Sequence, residues 1–291
     1  MILKIIKGIY LLFNILVINV LLAIHFVFRE YSYVSSLLFY IFPLPVIICV
    51  IVALSVFLGR LAKYNFVLAA FLLVFWLGRS YKLSIPENIN QTDIEVVFWN
   101  ASRDNGFFEA FKLNGGLPDV MVLTETANPD IKALEQQYPE YYFYKSPTEL
   151  VVFSKTPIRV IKERSSKYQT YMLFFKSAGL NFCAIDVQGS TDVPRSWELG
   201  FVNRYIRNEP NTVVLGDFNV PYESKYLTPL KQNFNHTFSA KGIGFKETWF
   251  WNLPLLSLDH IWASKDLKVL KAEKRYTFNS DHNMIKVFIG K

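Results

Sequence analysis

The chain has 291 residues, 52% of them hydrophobic, and a net charge of +7. That is room for one medium-sized domain and more besides, and it is too apolar for a protein that is soluble throughout. Residues 1–83 hold seven Lys or Arg against one acid, Glu30, whereas residues 84–291 hold 24 against 23. The basic excess therefore lies in the apolar block, and the remainder is not the strongly basic domain expected of a nucleic-acid binder. Two cysteines, Cys49 and Cys183, exclude a disulfide framework and zinc spacing.

Residues 9–28 are apolar except for Asn14, Asn19 and His25, and residues 37–58 more so. About 20 apolar residues cross a bilayer core, so both segments predict spans. Pro43 and Pro45 fall in the outer turns of the second, where a kink is tolerated. A third, weaker span is expected at 64–81, continuous only over 66–77, with Trp76 and Tyr81 as interfacial anchors. A cleaved signal peptide would explain the first segment alone. His25 sits near the end of its span and is expected at the interface. Lys4 and Lys7 precede span one, and Arg60 and Lys63 lie between spans two and three. The positive-inside rule then places the N-terminus in the cytoplasm and, with three spans, the rest of the chain outside; Arg79 and Lys82 weigh against this.

Residues 84–93 are polar and aperiodic, and predict a linker. Beyond them short apolar runs alternate with turns and amphipathic stretches. Strands are expected at 94–99, 120–123, 150–153, 171–175, 182–187, 213–215, 260–263 and 284–289, and helices at 107–113, 131–137 and 197–207. The alternation implies an α/β domain over 94–291.

Five segments place polar residues at or just past the end of an apolar strand, where loops converge on one sheet edge. V-V-F-W-N ends in Asn100, and D-V-M-V-L-T-E-T carries Glu125. A carboxylate there suits a hard cation such as Mg²⁺, which keeps oxygen ligands and waters. V-V-L-G-D-F-N carries Asp217 and Asn219, two apart and so able to share a cleft if the chain stays extended. S-L-D-H-I-W carries Asp259, and N-S-D-H-N carries Asp281 and His282. A histidine whose tautomer a carboxylate fixes can take a proton from water. Singly, each segment reads as an ordinary turn or cap. Together, with two of the domain's three histidines directly following an Asp, they imply one shared site.

The ordered set resembles the endonuclease/exonuclease/phosphatase superfamily across 94–289: strand-Asn, strand-Glu, G-D-F-N, L-D-H, S-D-H. The stretch E-L-V-V-F-S-K-T-P-I at 149–158 is similar to the family's strand running into a Ser-Lys/Arg-x-Pro-Ile turn. The apolar block resembles a bacterial branch with several N-terminal spans, which implies a multi-pass inner (plasma) membrane protein with its domain facing the periplasm or exterior. The resemblance implies a four-layer α/β sandwich, two packed mixed sheets flanked by helices. It implies Mg²⁺ or Mn²⁺ held by Glu125 with Asn100 and Asp281 nearby, and in-line attack of water on a phosphate ester. Asp217 and Asn219 would position the water and phosphate oxygens, and His282, oriented by Asp259, would act as base or polarise the phosphate. The sequence departs from the pattern where many members carry a strand histidine: here C-A-I-D-V-Q-G puts Asp186. Asp186 donates a proton to a leaving group only if its pKa is raised; otherwise Arg195 is the substitute. The expected substrate is a phospholipid headgroup or other small phosphate ester. The alternatives are a membrane-bound nuclease, with Arg195, Arg204 and Arg207 as a modest patch, and a non-catalytic binding module that kept the fold.

Overall fold

The computed structural model describes residues 2–290. They form two compact units, one ending at Tyr81 and one beginning at Lys82.

The first unit contains helices α1 (Ile2–Ala23), which runs into a π-helical turn at Ile24–Phe28, α2 (Tyr33–Ile41), α3 (Leu44–Leu54) and α4 (Ala62–Ser80). Two helices, Lys4–Phe28 and Gly59–Ser80, are long and apolar enough to cross a membrane. The segment expected as one strong span at 37–58 forms two short helices bent by 69°, apolar and long enough to cross a membrane when taken as one broken span. Pro43 is the cause of the bend. It has no N–H to give to the preceding turn, and its ring drives Phe42 out of the helical region, to φ −111° and ψ 63°. Pro43 then caps α3 and Pro45 enters its first turn, a position where proline favours a helix start. The weaker third segment forms the longer continuous helix. Ile18, Leu21, Ile47, Ile51, Ala69 and Leu72 pack α1, α3 and α4 together. Asn14 lies inside this bundle, donating to Leu54 O at 3.3 Å and accepting from Asn65 at 3.3 Å. His25 is buried beside the Phe39 ring at 5.2 Å, not set at an exposed end.

The boundary falls within β1 (Tyr81–Leu83), and the second unit goes on through β2 (Ile94–Asn100), α5 (Phe107–Asn114), β3 (Val120–Thr124), α6 (Ile131–Gln137), β4 (Tyr142–Lys145) and β5 (Val151–Ser154). It continues through β6 (Arg159–Ser165), β7 (Tyr171–Ser177), β8 (Leu180–Asp186), α7 (Arg195–Tyr205) and β9 (Thr212–Asp217). It closes with α8 (Thr228–Asn233), β10 (Phe234–His236), α9 (Thr237–Lys241), β11 (Ile243–Phe245), β12 (Asp259–Ser264), β13 (Lys268–Arg275) and β14 (Met284–Gly290). One six-stranded sheet has the order β13-β14-β2-β3-β5-β4, the other β10-β12-β9-β8-β7-β6. Each is mixed, with one parallel pair, β2/β3 and β8/β9.

The period-2 alternation of strand side chains decides the layering. Val96, Phe98, Val122 and Val152 of the first sheet meet Leu173, Phe175, Phe182 and Leu215 of the second in the central core. The alternate residues Val97, Trp99, Met121 and Phe153 face outward and are covered by Phe107 and Phe111 of α5. Strands buried on both faces read as continuous apolar runs, which is why V-V-F-W stood out. The two packed sheets between helices are the expected four-layer architecture.

The eight strands read from the sequence are the eight interior ones. All four edge strands, β4, β6, β10 and β13, escaped the reading. Edge strands carry charge against unwanted pairing, and β6 and β13 do so with Arg159, Lys162, Glu163, Lys268, Lys271 and Glu273.

The polar segment expected as a free linker is strapped to the domain. Ser84 N–H donates to Gly242 O at 3.2 Å and Glu87 N–H to Leu270 O at 3.0 Å. Glu87 also pairs with Lys241 at 2.8 Å and Lys268 at 2.5 Å, which holds its carboxyl down at about 2. A depressed carboxylate pKa gives a hold that is complete above 4.5 and lost as the pH falls through about 2. Glu87→Gln at neutral pH is expected to speed hydrogen exchange at 84–88 while leaving β2 unchanged. Equal exchange in both proteins would show that the backbone bonds alone hold the strap.

Candidate functional site

The registers bring the expected residues to one edge. Asn100 is paired with Thr124 across β2/β3, just before Glu125. In the other sheet Asp186 is level with Asp217, and Asp217 with Asp259. Three carboxylates thus lie side by side on adjacent strands, with relative exposures of 6%, 1% and 1%.

Gly216 makes this possible. Its φ is +154°, and a Cβ there would lie 1.9 Å from Ile185 O on β8. Glu125 and Asn219 both have left-handed backbone, with φ of 48° and 50°. Such strained conformations in non-glycine residues persist where surrounding bonds over-determine them. Asn219 N–H donates to Asp217 Oδ1 at 2.8 Å, and its side-chain amide donates to Val187 O at 2.5 Å.

Asn100 joins the two sheets. Its Nδ2 donates to Glu125 Oε1 at 3.1 Å and to Asp217 Oδ2 at 3.1 Å. Its Oδ1 accepts from Ser102 N–H at 3.1 Å. The Ser102 hydroxyl donates to Asp281 Oδ1 at 2.6 Å, and Trp249 Nε1 donates to Asp281 Oδ2 at 2.8 Å. Burial opposes ionisation of Asp281, but these donors and His282 hold its pKa below the usual carboxylate range. Ser102 and Trp249 went unread. Ser102 lies two residues past Asn100, and Trp249 sits among the aromatics Phe250 and Trp251. Glu125 is half-buried and paired with Arg103 at 3.2 Å.

His282 is buried, and its Nδ1 lies 2.8 Å from Asp259 Oδ2. Trp99 Nε1 fixes its backbone by donating to His282 O at 3.1 Å. Its Nε2 is 4.0 Å from Asp217 Oδ2. Burial alone would lower the imidazole pKa, but the Asp259 charge and hydrogen bond, with Asp217 and Asp281 behind, push it up to about 10. Asp217 is pushed up to about 7 by burial and the Asp259 charge, with His282 opposing. Burial and the neighbouring Asp217 raise Asp186 well above an ordinary carboxyl.

His260 belongs elsewhere despite its place in the L-D-H string. Its Nε2 faces Val220 O at 3.1 Å and its Nδ1 faces His236 Nε2 at 3.2 Å. Burial holds both rings neutral, His260 down at about 4. Arg195 is also elsewhere: it is half-buried and bonded to backbone, so it is neither a free patch residue nor a spare proton donor.

The donor set fits a divalent cation. Glu125 and Asp217 each offer a carboxylate oxygen to the Asn100 amide, the kind of hard ligand such ions prefer, while Asp281 is tied to Asn100 only through Ser102. Asp217, Asp259 and His282 also place one ligand atom each within 4.8 Å of one another. His282 Nδ1 is already committed to Asp259, so this trio is better suited to handling protons than to caging an ion.

The family model described as "Endonuclease/Exonuclease/phosphatase family" matches residues 97–282, well over half of the chain. The chain belongs to that family, whose members hydrolyse phosphoric esters and generally use a divalent metal. Among solved structures it is similar to the endonuclease/exonuclease/phosphatase from Bacteroides vulgatus, at 17% identity over 69% of this chain and 99% of that one, TM-score 0.52. It is similar to the 3′ phosphatase NExo from Neisseria bound to product DNA hairpin, at 15% identity over 67% and 98%, TM-score 0.52. TDP2 from Caenorhabditis elegans is similar at 16% identity over 79% and 85%, TM-score 0.51. These likenesses concern the fold. No curated protein matches the chain.

Gly216→Ala is expected to destabilise the domain by about 4 kcal/mol or more, because its methyl must displace a neighbouring strand's backbone. Gly179→Ala sits at φ +79° with open space, and is expected to cost about 1 kcal/mol. Denaturant unfolding checks both, and equal losses would contradict the close approach at Gly216.

Proposed function

We propose that the chain is a divalent-metal-dependent phosphoesterase, held at a bilayer by its apolar N-terminal helices, that cleaves a phosphodiester or phosphomonoester by in-line attack of water. The observation that carries this reading is the Asp259–His282 pair at 2.8 Å, set beside a buried Asp217 that Asn100 ties to Glu125.

Glu125, with Asn100 and Asp281 near it, would hold Mg²⁺ or Mn²⁺; the ion supplies Lewis-acid stabilisation of charge on the phosphoryl oxygens. The protein groups divide the remaining work. Asp217, fixed by the Asn219 N–H and the Asn100 amide and raised by burial and the Asp259 charge, would position the attacking water and take its proton. His282, its Nδ1 held by Asp259 at 2.8 Å, would polarise the phosphate or act as base. Asp259 keeps it oriented. Asn219 fixes the turn that carries Asp217. Burial and the neighbouring Asp217 push the Asp186 pKa up, the direction that would suit a carboxylic acid giving a proton to a leaving oxygen.

A phospholipid headgroup or other small phosphate ester is the favoured substrate class, because the domain's charge is balanced and a nuclease normally neutralises many phosphates with Lys and Arg. With Arg195 committed to backbone carbonyls and Glu198, only Arg204 and Arg207 remain of the expected basic patch. The nuclease reading draws on the DNA-bound Neisseria relative. Retention of the acids and His282 counts against a non-catalytic module.

The full chain in detergent with Mn²⁺ or Mg²⁺ is expected to hydrolyse bis-p-nitrophenyl phosphate. His282→Ala and Glu125→Ala are each expected to lower turnover about 10²–10⁴-fold. Turnover that survives both substitutions, or needs no metal, would overturn the assignment.

A further inference from the structure

Arg195 stands at the start of α7, outside the catalytic cluster, and its guanidinium ties together the loops that follow β8 and β9. Nε donates to Asn219 O at 3.1 Å. Nη1 donates to Gln188 O at 2.8 Å and to Ser190 O at 3.0 Å. The same nitrogen pairs with Glu198 Oε2 at 2.8 Å, and the two side chains are 10% and 0% exposed. Glu198 in turn accepts from the Thr170 hydroxyl at 3.3 Å, in the loop that leads into β7. The contacts reach the segment after Asp186, the turn after Asp217 and the approach to Tyr171, which is paired with Asp186.

Asn219 is the sensitive point. Its backbone is left-handed, a conformation that costs an asparagine energy and relaxes without support. Its N–H is what Asp217 Oδ1 accepts. Its side chain is bound to Val187 O, and Gly189 leaves only enough room for it, since a Cβ there would lie 3.3 Å from Asn219 Oδ1. Arg195 grips both halves of this junction, the 188–190 backbone on one side and Asn219 O on the other. A planar, always-charged fork with several donors meets that demand, whereas an ammonium on a flexible stem meets it in part.

We infer that Arg195 is a positioning residue for Asp217: held by Glu198, it locks the 188–190 loop against the left-handed Asn219 turn and so fixes where the Asp217 carboxylate stands in the cluster. The catalytic half of this inference rests on the phosphoesterase reading; the geometric half does not.

The test uses the full chain in detergent and two readouts. Hydrogen exchange is followed over 186–191 and 217–221, with β2 and β14 as internal controls of folding. Steady-state hydrolysis of bis-p-nitrophenyl phosphate with Mn²⁺ gives kcat and KM. Arg195→Met is expected to speed exchange in both segments but not in the controls. It is also expected to lower kcat about 10–100-fold with little change in KM. Arg195→Lys should recover part of kcat, and Glu198→Gln should fall between wild type and Arg195→Met. If Arg195→Met fails to fold, Arg195→Lys and Glu198→Gln carry the same comparison. Unchanged exchange at 217–221 overturns the inference. So does lost protection with wild-type kcat, the pattern of a merely structural residue. An inactive wild type overturns the phosphoesterase reading, and the exchange arm then still decides whether Arg195 holds Asn219.

Discussion

Three carboxylates placed level on adjacent strands, and almost out of water, are the constraint around which the domain is organised. Asp186, Asp217 and Asp259 cannot all stay ionised there unless protons, donors or cations offset their charge, because burying an uncompensated charge costs several kcal/mol. Each is offset differently. Asp259 takes His282 Nδ1, and its Oδ1 has no hydrogen-bond partner among the described residues. Asp217 takes the Asn100 amide and the Asn219 N–H. Asp186 has its pKa pushed up by burial and by Asp217. Glu125, one strand end away across the sheet interface, adds a fourth acid that reaches the cluster through Asn100. Such a surplus of oxygen donors has a natural complement in a hard divalent cation.

The packing serves the same end. Alternation in β2 sends Phe98 to the central core and Trp99 to the outer layer, and Trp99 then reaches the His282 carbonyl. Gly216 lets β9 approach β8 closely enough to bring Asp217 level with Asp186. The core fixes the register, and the register sets the spacing of the acids. A one-residue slip in β9 or β12 would turn Asp217 or Asp259 to the opposite face.

Much of this could be read from the residues in order. The interior strands are legible because burial on both faces makes them continuously apolar. The edges β6 and β13 are not, because their charges disguise the alternation. The residues at strand ends, from Asn100 to His282, stand out because each interrupts an apolar run. What joins them is not local. Ser102 reaches Asp281 and Trp249 reaches the same carboxylate across long sequence separations, and no spacing announces either. Arg195 misled for the same reason: an arginine at a helix start reads as solvated unless its partners in other loops are known. In the N-terminal unit the prolines at 43 and 45 were visible but underweighted. Two within three residues end one helix and begin another, so a segment of sufficient length is divided.

The central claim is that the acid cluster is built to be completed by a divalent cation bound through Glu125. A ligand that binds only the folded state raises stability by about 2.7 kcal/mol at a hundred times its Kd. The direct measurement is thermal unfolding of the full chain in detergent at neutral pH across a titration of Mn²⁺, and of Mg²⁺, beside Glu125→Ala. The account predicts a saturable rise in melting temperature for the wild type and little or none for the variant. A melting temperature indifferent to both ions, or one that rises equally without Glu125, would contradict it.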